Sequence, residues 1–98
     1  MRGGFQSAAR WNQHFTDQAR KFRDSGIAAL RAREQEIQST FTPLEADNEA
    51  FWSIWYDWQK GKPDVNIAME GAYYYGRGDG STGTIYAEFV RIVRRQPE

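Results

Sequence analysis

The chain has 98 residues, no cysteine, and 13 basic against 13 acidic residues, so its formal net charge is zero. A chain of this length is expected to fold around one hydrophobic core, as a single domain that spans residues 1–98. The lack of Cys excludes disulfides, thiolate nucleophiles and Cys-based metal sites, and the zero net charge argues against general attraction to nucleic acid.

The first predicted element is a long amphipathic helix over residues 5–38. Its apolar residues are three or four positions apart, or sums of these steps, which places them on one helix face: Trp11, Phe15, Ala19, Phe22, Leu30 and Ile37. The segment Asp24-Ser25-Gly26 interrupts this pattern. Ser and Asp compete for backbone hydrogen bonds and Gly costs about 1 kcal/mol relative to Ala, so we expect a kink or short break near Gly26.

The second predicted helix runs from Pro43 to Lys60. Thr42 and Glu45 have the spacing of a capping box, with Pro43 at the first helical position. Gly61, followed by Pro63, is typical of a helix end with a left-handed cap. The sequence therefore marks both ends of this helix.

A change of period follows Pro63, where large apolar residues alternate with smaller or polar ones over residues 65–70. Residues 84–94 form another β-rich run, and the glycine-rich residues 78–83 between them indicate a loop. Pairing these runs places Tyr75 opposite Tyr86. We therefore predict an α+β fold: two N-terminal helices, then a C-terminal antiparallel β-hairpin or a small sheet bulged at Gly71.

Helix two carries more aromatic surface than one core-facing stripe requires. One narrow face holds Phe51, Ile54, Trp55 and Trp58. Trp52 and Tyr56 widen the apolar arc to about 200°, roughly twice what core packing needs. Because Trp and Tyr dominate interface hot spots, we predict that Trp52 and Tyr56 form an exposed anchor pair for a partner.

The predicted hairpin supplies the other candidate binding residues. Its outer face would hold Tyr74 and Phe89, which make that face too apolar for full solvation, and Arg77 and Arg91 would flank it. A tyrosine-rich strand beside arginines could also stack unpaired bases. The candidate partner-binding residues are thus Trp52, Tyr56, Tyr74, Arg77, Phe89 and Arg91.

The sequence offers no recognisable catalytic or metal-binding set. His14 is the one histidine, and no Ser stands in a nucleophile turn. Neighbouring carboxylates such as Glu34 and Glu36 are two positions apart, so on a helix they point away from each other. We therefore expect no catalytic residue, no cofactor and no metal site, and we expect that the protein is not an enzyme.

These observations favour a non-enzymatic protein-binding module. Its size and lack of motifs are typical of small inhibitors or adaptors encoded by viruses or mobile elements, which dock on a larger host complex; an anti-defence protein is one example. The alternatives are a nucleic-acid-binding accessory protein that uses the tyrosine-rich strand and the arginines, and a structural subunit of a larger assembly. A homodimer is a further alternative. With no hydrophobic signal or spanning segment, we expect a cytoplasmic protein that does not bind membranes.

Overall fold

The computed structural model describes residues 2–47 and 49–95, and these ranges contain helices and turns but no strand. The elements are α1 (Arg2–Ala32), α2 (Glu34–Thr40), a short 3-10 turn (Glu45–Asp47), α3 (Ala50–Gln59), α4 (Pro63–Gly76) and α5 (Ser81–Arg94). The molecule is elongated, with extents of 59 × 25 × 25 Å. The length of α1, about 46 Å at 1.5 Å per residue, accounts for this shape.

The predicted α+β fold is wrong, because both predicted strands are helices. In α4 the residues that become buried are mostly small and have helical spacing: Val65, Ala68, Gly71, Ala72 and Gly76. The alternation of larger residues in this segment concealed that pattern. In α5, Ile85, Phe89 and Val93 are four apart, a step that fits a strand and a helix equally well.

The predicted strand pairing is lost with the hairpin. Tyr75 does not lie opposite Tyr86; its ring stacks on Phe22 of α1 with the centroids 5.6 Å apart. Tyr86 instead stacks on Trp52 of α3, at 4.1 Å. The two tyrosines therefore belong to contacts with different helices.

The predicted break near Gly26 is also wrong, because α1 continues without interruption to Ala32. Gly26 has a packing role: a Cβ atom there would lie 2.9 Å from the Cδ1 atom of Ile85 in α5. The helical hydrogen bonding is interrupted at Arg33, between α1 and α2. The guanidinium of Arg33 donates to Asp64 and Glu36 there, which ties the break to the start of α4.

The predicted second helix begins later than its sequence signals indicate. Half of the capping box forms, since the Thr42 backbone N–H donates to the Glu45 carboxylate at 2.9 Å. This bond lies at the start of the 3-10 turn, of which Glu45 is the first residue, and α3 starts only at Ala50. The helix ends at Gln59, near the predicted Lys60, but Gly61 is not a left-handed cap: Gly80 alone has positive φ among the described residues.

Helix α4 packs antiparallel against α1 at very short range. Tyr75, near the end of α4, contacts Phe15, whereas Asp64, near its start, bonds to Arg33. Between them the ring of Phe22 lies over Gly71, where an added Cβ would be 2.2 Å from the ring. Only glycine at position 71 permits this approach of the two helices.

Phe89 of α5 lies at the centre of an aromatic core. Its ring centroid is 3.9 Å from that of Trp55, 5.0 Å from that of Phe41 and 5.4 Å from that of Phe51. All four side chains are buried. Aromatic pairs at such distances add to the free energy gained from burial, so this cluster holds α3 and the segment before it on α5.

The turn between α4 and α5 depends on an aspartate and a glycine. Gly80 has φ of 76°, a conformation that glycine adopts without steric cost. The Asp79 carboxylate accepts hydrogen bonds from the backbone N–H and the hydroxyl of Ser81, which is buried. The hydroxyl bond, then the backbone bond, lower the pKa of Asp79 below its ordinary value.

We predict opposite effects for two glycine-to-alanine substitutions. Gly71→Ala should lower the free energy of unfolding by about 1–3 kcal/mol, because the new methyl group collides with Phe22. Gly83→Ala is the control: it lies in α5 with nothing within 4 Å, and should raise that free energy by about 0.5–1 kcal/mol. Urea unfolding followed by circular dichroism measures both. Equal effects of the two substitutions would contradict the close α1–α4 contact.

We also predict acid sensitivity that involves Asp79. Its folded-state pKa is lowered, so the unfolded chain takes up the proton first, and stability falls as pH drops below the ordinary carboxyl pKa of about 4. Asp79→Asn should make this fall shallower, as measured by the thermal midpoint between pH 7 and pH 2.5. An unchanged pH dependence in the variant would show that the Asp79 bonds do not contribute.

Candidate functional site

A groove of about 370 Å³ opens between α3 and α4, with the start of α5 at its edge. Its lining residues are Tyr56, Gln59, Met69, Glu70, Tyr73, Tyr74 and Thr82. We call this site the aromatic groove. Tyrosine rings form much of its lining, and of the lining residues that the structure describes, Glu70 alone is charged.

The aromatic residues of α3 lie on two sides of the helix, one in the core and one at the groove. Phe51, Trp55 and Trp58 are buried against the core. Trp52 and Tyr56 lie on the other side of the helix and are 45% and 52% exposed. The predicted exposure of this pair is thus observed, and Trp52 stands beside the groove with its centroid 6.3 Å from that of Tyr56.

The α4 side of the groove results from packing of small residues against the rest of the fold. Gly71 and Ala72 are buried, so the next two residues, Tyr73 and Tyr74, face outward and are 57% and 75% exposed. Their centroids are 6.1 Å apart. The Arg77 guanidinium lies over the Tyr73 ring, 5.9 Å from its centroid.

Four of the six predicted binding residues therefore lie at or beside one groove. These are Trp52, Tyr56, Tyr74 and Arg77. The other two lie elsewhere. Phe89 is fully buried in the core and is not available at the surface, because it belongs to a helix and not to the outer face of a hairpin.

Arg91 belongs to an ion-pair cluster on α5. It donates to the Glu88 carboxylate at 2.7 Å, and Glu88 also pairs with Arg31 of α1 at 3.2 Å. The hydrogen bond from Arg91 lowers the pKa of Glu88, and the same bond raises the pKa of Arg91. Arg91 is thus engaged within the fold and does not line the groove.

Sequence reasoning missed Gln59, Met69, Glu70, Tyr73 and Thr82 as groove residues. Met69 and Glu70 belong to the predicted strand over residues 65–70, in which neighbouring residues point to opposite faces. A helical signal was present, since Glu70, Tyr73, Tyr74 and Arg77 are spaced i, i+3, i+4 and i+7. This spacing places them along one helix face.

A larger cleft, of about 650 Å³, lies at the break between α1 and α2. The described charged residues of its lining are all in ion pairs, some of them with residues outside the lining. Arg33 bonds to Asp64 and Glu36, and the Lys62 ammonium lies 2.8 Å from Glu36. The hydrogen bond to Lys62 lowers the pKa of Glu36. The ion pairs of this cleft therefore join the end of α1, α2 and the start of α4.

A second group of exposed rings lies on α1. Trp11 and Phe15 stack with centroids 5.7 Å apart, and Trp11 is 60% exposed. His14 meets Trp11 and Tyr75 edge to face, at 5.8 and 6.2 Å. The sole histidine therefore lies among aromatic rings, and no ring of this group contacts those of the aromatic groove.

Within residues 2–47 and 49–95, no three His, Asp or Glu side chains are grouped closely enough to hold a metal ion. In the same part of the chain, every helix is too short or too polar to cross a bilayer. Comparisons with protein-family models, curated proteins and solved structures found no match for this chain. Its function must therefore be argued from its own surface.

We predict that the exposed pair on α3 contributes little to folding. The double substitution Trp52→Ala and Tyr56→Ala should lower the free energy of unfolding by at most about 2 kcal/mol, since the main loss is ring stacking. Phe89→Ala should cost about 3–5 kcal/mol because it empties the centre of the core. Chemical denaturation compares the two. A loss in the double variant as large as that of Phe89→Ala would contradict the surface position of the pair.

Proposed function

We propose that this chain is a non-enzymatic protein-binding module that docks on its partner through the aromatic groove and the adjacent Trp52. The observation that carries the proposal is the arrangement of exposed rings, with Trp52, Tyr56, Tyr73 and Tyr74 on two helices around a single concave site. Contiguous apolar surface of this kind marks interaction sites on small proteins.

The chemistry of these residues supports a protein partner. Trp and Tyr are the side chains most often found at the centre of interfaces, where they bury a large area and lose little conformational entropy. The core does not need them, because Phe51, Trp55 and Trp58 already cover the inner face of α3. Polar residues at positions 52 and 56 would be compatible with the same helix.

We further propose that the module acts as an inhibitor or adaptor encoded by a virus or mobile element, as an anti-defence protein does, by covering a site on a larger host complex. A small domain with one concave docking site suits this role, since binding alone would block or redirect the host protein. The proposed place of action is the cytoplasm, where a chain without cysteine is unaffected by reducing conditions.

A nucleic-acid-binding accessory protein is the second candidate. The contact of Arg77 with Tyr73 favours it, since stacked rings beside a guanidinium also suit unpaired bases. The carboxylate of Glu70 in the groove lining disfavours it, because it would repel phosphate. The residues of the predicted tyrosine-rich strand lie on a helix, so no sheet platform for bases forms.

Affinity capture from a lysate of the source or host organism tests the proposal. Tagged wild-type chain is compared with the Trp52→Ala, Tyr56→Ala double variant, and with Trp11→Ala, which removes an exposed ring outside the groove. Each capture is repeated after nuclease treatment. Captured proteins are identified by mass spectrometry, and the affinity of the purified partner is then measured by calorimetry.

We expect that one protein is captured both with and without nuclease treatment. This protein should bind the Trp11→Ala control as tightly as it binds the wild-type chain. Its affinity for the double variant should fall by at least a hundredfold, which corresponds to the loss of about 2.7 kcal/mol or more from two hot-spot residues. Loss of the partner on nuclease treatment would instead favour the nucleic-acid candidate. Equal binding by all three chains would place the docking surface elsewhere.

A further inference from the structure

We infer that the aromatic groove receives an arginine side chain of the partner protein. This inference rests on the proposed function and specifies the chemistry of the partner at that site. It is carried by two features of the lining: an unpaired carboxylate and three tyrosine rings.

The carboxylate is that of Glu70, which makes no hydrogen bond or ion pair within residues 2–47 and 49–95. Several other acidic side chains of the fold do have cationic partners: Asp64 pairs with Arg33, Glu88 with Arg91, and Asp57 with Lys60. Among the described residues, the groove lining contains no basic side chain, so Glu70 offers an unpaired negative charge there.

A guanidinium suits this carboxylate. It has five N–H donors in one plane, and two of them can bond to both oxygens of the Glu70 carboxylate at once.

The rings favour arginine over lysine. Tyr56, Tyr73 and Tyr74 line the groove, and a guanidinium stacks on such rings while it bonds to a carboxylate in its own plane. The chain already makes a contact of this kind beside the groove, where the Arg77 guanidinium lies over the Tyr73 ring. The groove, about 370 Å³, is near the lower limit for ligand pockets, which fits one side chain better than a whole helix.

Titration with an arginine analogue, followed by nuclear magnetic resonance, tests the inference without the partner. The probe is N-acetyl-arginine methylamide, and its neutral counterpart is N-acetyl-citrulline methylamide, which has nearly the same shape. The signals to follow are the side-chain amide of Gln59 and the backbone amide of Thr82. Wild type is compared with Glu70→Gln and with Glu49→Gln, an exposed carboxylate outside the groove.

We expect saturating shifts of these signals with the arginine probe, with a dissociation constant in the millimolar range, as suits one cation–π contact and one ion pair. The citrulline probe should bind at least fivefold more weakly, Glu70→Gln should abolish that difference, and Glu49→Gln should match wild type. Equal binding of the two probes to wild type, no binding, or an unchanged preference in Glu70→Gln would overturn the inference.

The captured partner then separates this inference from the proposed function. Glu70→Gln should weaken partner binding by about five- to tenfold, since a charge-assisted bond becomes a neutral one. If the partner binds Glu70→Gln as tightly as wild type but not the Trp52→Ala, Tyr56→Ala variant, the arginine inference fails and the docking surface stands. If neither variant loses the partner, the proposed function itself is wrong.

Discussion

The aromatic groove and the adjacent Trp52 depend on one contact, the packing of α3 against the ring of Phe89. Trp55 lies 3.9 Å from that ring, centroid to centroid, and Phe51 lies 5.4 Å from it. A helix that is apolar over most of its circumference could present several faces to a core. Because Phe89 contacts the face that holds Phe51 and Trp55, the side chains of Trp52 and Tyr56 are directed away from the core. Their exposure is therefore a consequence of the fold.

The close approach of α1 and α4 positions the opposite wall of the groove. Phe22 lies over Gly71, and Ala72 beside it is buried, so the small face of α4 is turned inward and Tyr73 and Tyr74 are turned outward. In both α3 and α4, the residues that are buried on one face determine which aromatic rings remain exposed for a partner on the other face. The proposed binding site is therefore built from residues that the core does not use.

The sequence predicted the helical N-terminal half and the division of aromatic residues on α3, because helical periodicity among large residues is explicit there. It failed for α4 and α5. Burial in α4 involves glycines and alanines, which periodicity of large residues does not detect, and the four-residue steps from Ile85 to Phe89 and Val93 fit either structure. Tertiary packing outweighed the strand preference of these β-branched residues. Tyr74 was thus identified correctly as exposed, but from a wrong fold, and Phe89 was misplaced for the same reason.

Hydrogen exchange of the tryptophan indole N–H groups tests the central claim most directly. The buried rings of Trp55 and Trp58 should exchange slowly in the monomer, and the exposed rings of Trp52 and Trp11 should exchange rapidly. Nuclear magnetic resonance resolves the four signals, which single Trp→Phe substitutions assign. Slow exchange at Trp52, or rapid exchange at Trp55, would show that α3 does not present the face described here to Phe89.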